Sequence, residues 1–292
     1  RFARVGLADM AGGVQARETI ELGDFARTRD LSPLAAAIRR MCAAANGAPV
    51  LGVCIGFPAN LDPDAAAIVS YAAMDIQQPT SFAQVFPAFW REVELPVYLE
   101  NDANLACEGE AFLRRGAGGA ANMLYLSIGS GCGGAVRLDG KLRRGARCRA
   151  GEVGAMLLQP ALGAPGRSAA RETLEDAVCL AALERRFGAA LRDGAQPGEA
   201  SAQAMRDYLC GPLSGAVYSL VMTLDVELCV LAGIVPGALG MQLCTQVSEA
   251  LRAALPESTP VRVEPSVSAD AGVIGAAATV FERSLDALLG SG

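Results

Sequence analysis

Glu100-Asn101-Asp102, the glycine-rich stretch 129–134 and Gly151-Glu152 are the places in this 292-residue chain where residue type and spacing could do chemistry. Apolar runs precede the first two, VYL at 97–99 and MLYLSI at Met123–Ile128, and small residues surround the third. A run that buries itself leaves the polar group at its end facing a cleft. Asp102, with an ordinary carboxyl pKa of about 3.9, is ionised at neutral pH and could orient or deprotonate a hydroxyl. Asn101 beside it offers both a donor and an acceptor, which suits a pair of hydroxyls. In Gly129-Ser130-Gly131-Cys132-Gly133-Gly134 the glycines permit close backbone approach, so successive N–H groups could cradle an anion. Two carboxylates and an anion-sized turn are the inventory of a small polar-ligand site.

Each motif also has a plainer reading. Asn101 or Asp102 could simply cap a helix over 103–115. The glycine stretch is neither a Walker A loop nor GxGxxG, and a glycine turn between two strands is commonly just a hairpin. Glu152 could be a solvated surface residue, and Glu175 part of a polar helix face.

The elements that must position these groups alternate between strand and helix. Residues 2–9 and 14–22 read as a hairpin about Ala11-Gly12-Gly13, and 34–45 as a helix with Leu34, Ile38, Met41 and Cys42 on one face. A strand at 49–56 leads into the Phe57-Pro58-Ala59-Asn60 loop. Residues 82–93 read as a helix and 96–99 as a short strand ending at Glu100. Met123–Ile128 and 135–138 are strands, with Asp139-Gly140 opening a hairpin. Beyond residue 170 come helices at 171–187, 202–209 and 213–223, a buried strand at Leu228–Ala232, a helix at Met241–Ala254, a strand at 261–264 and a Gly-Ala-rich helix over 268–289. The class is α/β, with two similar halves suggesting a duplicated unit.

Composition narrows the chemistry. The chain has no histidine, which excludes Ser-His and Cys-His nucleophiles, histidine acid–base catalysis and histidine-bound metals. Nine cysteines, an odd number without a CxxC pair, read as reduced and mostly buried thiols rather than a disulfide frame. The net charge of −6 is mixed along the chain, and the longest basic cluster is Arg143, Arg144, Arg147 and Arg149. That is too small a basic face for a chain that grips DNA by itself. No apolar run approaches the roughly 20 residues of a membrane span, and the start RFARVGLADMAGG resembles no signal or transit peptide. The expectation is a soluble, cytoplasmic protein with no membrane partner.

Taken together, ENDAN, LSIGSGCGGAVRLDGKL, AGEVG and the later SADAGVIGAAA resemble, in order along the chain, the ROK family of sugar kinases and sugar-responsive repressors. The resemblance implies an actin-like ATPase (ribonuclease H-like) duplicated fold, two domains with a sugar site in the interdomain cleft. It makes Asp102 the match of the family's catalytic aspartate and Asn101 of a sugar-hydroxyl ligand. Glu152 matches the first acid of the E-x-G-H motif, and Glu175 the acid closing C-x-C-G-x-x-G-C-x-E. Gly129, Ser130, Gly131 and Gly133 match its second phosphate loop, and Gly233 its glycine element near the nucleotide. Asn60 closes the loop matching a sugar contact.

Departures are equally specific. The E-x-G-H histidine is Ala155, and the zinc cysteines fall at Gly166, Ser168 and Thr173, so no zinc is expected and the loop 158–171 is expected either to be held by apolar packing or to be mobile. An asparagine expected near Tyr71-Ala72-Ala73 is absent, and so is the first phosphate loop, D-x-G-x-T on the family's first strand, since the chain opens with RFARVGLADMAGG at what looks like the second strand. The expected domains are 1–100 and 101–280, with a helix at about 280–292 packing back on the first. The leading expectation is the sugar-sensing, homodimeric part of a transcriptional regulator that meets DNA only through a domain outside this chain. It binds a monosaccharide or sugar derivative and has no certain cofactor. The alternatives are an MgATP-dependent sugar kinase with Asp102 as base, and a degenerate dimerisation module that binds neither.

Overall fold

The computed structural model describes residues 2–116, 119–158, 172–188, 191 and 197–289. Two compact units emerge: Arg1–Gly119 with Gly145–Arg149 and Val267–Gly292, and Ala120–Arg144 with Ala150–Ser266.

The first unit opens with the antiparallel pair β1 (Phe2–Ala8) and β2 (Val14–Glu21), in register from Phe2 opposite Glu21 to Leu7 opposite Ala16. Asp9 closes its tip by accepting from the Ala11 and Gly13 amides at 2.9 and 2.8 Å, an Asx-type turn that lets the chain reverse at Gly12. Helices α1 (Phe25–Thr28) and α2 (Ser32–Ala44) follow, then β3 (Val53–Phe57). The strands β4 (Asn60–Asp62), β5 (Ala67–Ser70) and β6 (Thr80–Ser81) form a small antiparallel sheet that the sequence reading lacked.

The helix expected over 82–93 is two, α3 (Phe82–Val85) and α4 (Pro87–Glu92). Pro87 disfavours helical dihedrals at the residue before it, and Phe86 sits at φ −126°, ψ 62°. β7 (Val97–Asn101) pairs in parallel with β3 and runs straight into α5 (Asp102–Leu113). The core of this unit is aromatic: Phe57 makes edge contacts with Phe25, Tyr71, Phe82 and Phe86 at centroid distances of 5.3 to 5.9 Å.

The second unit holds β8 (Met123–Ile128), β9 (Cys132–Leu138), β10 (Lys141–Arg143), α6 (Leu174–Val178), α7 (Leu180–Phe187), α8 (Glu199–Leu224), β11 (Leu228–Ala232), α9 (Ile234–Leu239), α10 (Met241–Ala254) and β12 (Arg262–Pro265). Its five-stranded sheet has the order β10-β9-β8-β11-β12. β8 is antiparallel to β9 and parallel to β11, which is parallel to β12. β11 is buried at all five positions, as the LCVLA run demands of a parallel strand covered on both faces.

Two helical boundaries differ from expectation. Residues 202–209 and 213–223 belong to one 26-residue helix, α8, which runs through Pro212. An interior proline costs about 3 kcal/mol. Burial of Leu209, Leu213 and Val217 outweighs it at about 1.5–3 kcal/mol per side chain. The helix expected over 171–187 starts at Leu174 and breaks at Cys179, which is extended because the next amide, Leu180 N–H, donates to the Gly129 carbonyl at 2.8 Å. Arg171 lies outside the described residues.

The chain then returns to the first unit as α11 (Ala271–Leu289). α11 crosses α5 so closely that two glycines are obligatory. A Cβ on Gly109 would collide with the Ala271 carbonyl, and one on Gly275 with the Leu105 carbonyl. This crossing makes α5 part of the first unit, so the units do not divide at residue 100 as the sequence suggested. It also anchors α11 from residue 271 onward; residues 290–292 lie outside the described region.

Candidate functional site

Three predicted residues gather in the first unit at the junction of β7 and α5. Asn101 is the N-cap: its Oδ1 accepts from the Ala103 and Asn104 amides at 2.9 and 3.2 Å. Its Nδ2 donates to the Ala59 carbonyl at 3.2 Å, holding the 57–60 loop beside the helix start. Asn60 follows in that loop and donates to Ser70 Oγ at 3.0 Å. Arg149 donates to the same hydroxyl at 3.2 Å.

Glu100 and Asp102 flank Asn101 and behave differently. Glu100 is buried, 2% exposed, and its Oε1 accepts from the Asn101 amide at 2.9 Å and from Asn104 Nδ2 at 2.8 Å. Asp102 is surface-exposed, with Oδ1 accepting from its neighbour's amide, Ala103 N–H, at 2.9 Å. Protein crowded around that opening strips water from the carboxyl and raises its pKa, against the lowering effect of its backbone hydrogen bonds. The exposure and the crowding are compatible: the oxygens meet solvent on one side and dense protein elsewhere. A carboxyl with a raised pKa that remains accessible is suited to proton transfer.

The remaining predicted residues gather in the second unit around the start of β9. Only residues 129–131 form the turn, which Gly129 N–H closes on the Gly131 carbonyl at 2.9 Å. Gly133 and Gly134 are already in β9, so the expected six-residue phosphate turn is shorter. Gly134 is needed there because the Tyr125 and Gly151 carbonyls would lie 2.9 and 3.0 Å from a Cβ. Gly151, at φ +96°, presses on Gly134, and Gly154 on the Cys132 carbonyl. These close approaches bring exposed Glu152, at the start of the 3-10 turn Val153–Ala155, alongside the beginning of β9.

Glu175 reaches the turn from α6. Its Oε2 accepts from the Cys132 amide at 2.8 Å and would lie 2.9 Å from a Cβ on Gly131. Thr173 and Asp176 aim the helix by a reciprocal capping box, with Asp176 N–H donating to Thr173 Oγ1 at 3.2 Å and Thr173 N–H to Asp176 Oδ2 at 3.0 Å. Gly233, at φ +95°, completes the group, since any Cβ there would strike the Ile128 carbonyl. Burial, and then the Glu175 charge, pushes the Cys132 thiol up to about 12, so it is no nucleophile at neutral pH.

Sequence reasoning missed the Glu175–Cys132 bond and the Asn101–Ala59 bond, because both partners are backbone groups far along the chain. Of the four positions matching zinc ligands, Ala155 and Thr173 are described and neither side chain is a zinc donor of the matched type. Gly166 and Ser168, in the loop 158–171, lie outside the described residues. Among the described residues no group of three or more His, Cys, Asp or Glu is placed to hold a metal ion. No helix of the described residues is long and apolar enough to cross a membrane. A concavity of about 410 Å³, lined by Arg29, Asp75, Gln77, Gln78 and Thr80 among others, contains none of the predicted site residues.

Two α/β units, one carrying a five-stranded sheet, define a two-domain protein of the actin-like ATPase fold. A model of the ROK family matches residues 3–283, and the chain belongs to that family. A glucokinase from Halalkalibacterium halodurans is 34% identical over 141 residues, 46% of this chain and 40% of that protein. The matched stretch is thus less than half the length of that relative. The ROK hexokinase of Thermus thermophilus superimposes with a TM-score of 0.73 at 25% identity, over 98% of this chain and 96% of that one. A ROK family transcriptional regulator, a homologue of the E. coli MLC protein, gives 0.75 at 17% identity, over 99% of this chain and 77% of the other.

Proposed function

We propose that this chain is the sugar-sensing domain of a transcriptional regulator. Asn101 and Asp102 of the first unit, with Asn60 nearby, and Glu152 and Glu175 of the second are its ligands for a monosaccharide or sugar derivative. Sugar binding changes the geometry of a homodimer. The observation that carries this reading is Glu175, whose carboxylate holds the Cys132 amide at the turn that would otherwise be offered to a phosphate. A carboxylate there repels a nucleotide's phosphates and leaves the turn as a support for a sugar-binding acid. Titration calorimetry with hexoses, N-acetylhexosamines and pentoses tests it. Saturable binding of one class, lost in Asp102→Ala, is expected; no binding of any class overturns it.

A second reading, an ATP-dependent sugar kinase, is favoured by the accessible, raised carboxyl of Asp102. MgATP would supply the phosphoryl group, with Gly129, Ser130, Gly131, Gly133 and Gly233 nearest its phosphates. Asp102 would take the proton from the attacking hydroxyl. That reading requires sugar-dependent ADP release that Asp102→Asn abolishes; the sensor reading requires sugar binding without it.

A further inference from the structure

Asn60 and Ser70 face each other across β4 and β5 because of a break in register. Leu61 pairs with Ile68 and Asp62 with Ala67, so an unbroken ladder would set Val69 opposite Asn60. A β-bulge at Val69 puts Ser70 there instead, and directly opposed residues share one face of the sheet. Asn60 Nδ2 then donates to Ser70 Oγ at 3.0 Å. The bulge exchanges an apolar side chain for a hydroxyl at the end of the 57–60 loop.

Residues 145–149 of the same unit bring a cation to that hydroxyl. Their loop turns at Gly145 (φ +75°) and at Cys148 (φ +52°), a left-handed conformation that a residue with a side chain adopts only at a cost. Arg149 follows and donates from Nη2 to Ser70 Oγ at 3.2 Å. Arg143, earlier in the chain, spends its guanidinium on the Asp139 carboxylate at 2.7 Å. Arg149 is exposed and has no ion pair among the described residues, and the serine occupies one of its five N–H donors.

Asn101 Nδ2 donates to the Ala59 carbonyl at 3.2 Å, which fixes the residue before Asn60 to the start of α5, where Asp102 is exposed. A ligand whose hydroxyls meet Asn101 and Asp102 therefore has, along the same loop, an amide, a hydroxyl and an unneutralised guanidinium. Those groups together suit an oxyanion better than another neutral hydroxyl.

We propose that Arg149, with Asn60 and Ser70, binds an anionic group of the ligand, and that the ligand is a sugar acid, a monosaccharide bearing one carboxylate. This rests on the sugar reading and narrows its ligand class. The two coplanar oxygens of a carboxylate match the guanidinium fork, and its single charge matches a single unpaired cation. A phosphomonoester carries about 1.5 to 2 negative charges, which this one cation does not balance.

Calorimetry on the full chain tests it with glucuronate, galacturonate and mannuronate, each beside its parent hexose and the hexose 6-phosphate. At least one sugar acid should bind about tenfold or more tighter than its parent hexose. Arg149→Gln should abolish that preference by weakening the acid alone. Arg149→Lys, which keeps the charge and loses the fork, should retain part of it. Arg147→Gln, exposed in the same loop, should leave all affinities unchanged. Equal weakening of acid and hexose in Arg149→Gln would mark a structural role and overturn the inference. Tighter binding of the neutral hexose or of the phosphate overturns it too. Those results leave the sugar reading standing, whereas failure of every sugar to bind overturns both.

Discussion

The crossing of α5 and α11 gives a prediction whose sign is set by the structure against helix propensity. Replacing an interior helical glycine by alanine ordinarily stabilises by about 1 kcal/mol. At Gly275 the new Cβ would fall well inside the 3.0 Å at which something must shift, and the obstacle is the Leu105 carbonyl. Backbone cannot step aside as a flexible side chain does, so the two helices must separate. Overpacking costs about 1–3 kcal/mol, and a rigid obstacle places Gly275→Ala near the upper end. At an m-value of about 2 kcal/mol per molar urea, the net loss of about 2 kcal/mol left after the propensity gain lowers the midpoint by about 1 M. The single tryptophan, Trp90, lies in α4 of the first unit, so its fluorescence reports unfolding of the unit that contains the crossing. Gly215 is the control: it lies exposed within α8 with nothing near a Cβ, and Gly215→Ala should stabilise the second unit by about 1 kcal/mol, followed by circular dichroism. A Trp90 transition that stays in place or moves to higher urea in Gly275→Ala would refute the reasoning.

Three more predictions rest on single sites. Cys54 and Cys132 are pushed up to about 12 and Cys244 to about 11, mainly by burial, so at pH 8 their thiolate fractions fall by roughly a hundredfold to a thousandfold. Timed alkylation with mass mapping should modify half-buried Cys42 and Cys148 first in the folded protein. Thr173→Ala removes the α6 capping box and should cost about 1 kcal/mol at pH 7. Thr173 holds the Asp176 carboxyl below its usual range, a contribution present above that range and lost as pH falls; the deficit of Thr173→Ala in denaturation curves should therefore narrow near pH 3. Asp102 has the opposite sign: its raised carboxyl stabilises the fold only while protonated. Asp102→Asn should raise the Trp90-monitored midpoint at pH 7 and leave it unchanged in acid; an unchanged midpoint at pH 7 would count against the raised carboxyl.

Local signals in the sequence account for much of this fold. Alternation around Gly12 marks the β1-β2 hairpin, and the apolar runs before Gly129 and Gly233 mark β8 and β11. Propensity misleads where tertiary contacts decide. Pro212 reads as a helix break, but the buried side chains on either side carry α8 through it. Thr80–Ser81 is too short to show a period, and β4 and β5 become strands only by pairing with each other. At the site, the residue types of Asn101, Asp102, Glu152 and Glu175 are readable as a set. The partner of Glu175 is not, because a backbone amide 43 residues away leaves no side-chain signature.

The ENDAN motif shows how burial divides labour among adjacent polar residues. Glu100 is out of water and accepts two hydrogen bonds that fix β7 to α5, and Asn104, also buried, supplies one of them. Asn101 spends its oxygen on the helix cap and donates through its nitrogen to the Ala59 carbonyl. Asp102 is the residue of the four that combines exposure with a raised carboxyl. Substituting Glu100, Asn101 or Asn104 should therefore change binding by moving the 57–60 loop and the start of α5, with a matching loss of stability. Substituting Asp102 should change binding while stability holds or rises. That contrast separates a positioning residue from one that meets the ligand, and it uses the same denaturation and titration experiments for all four.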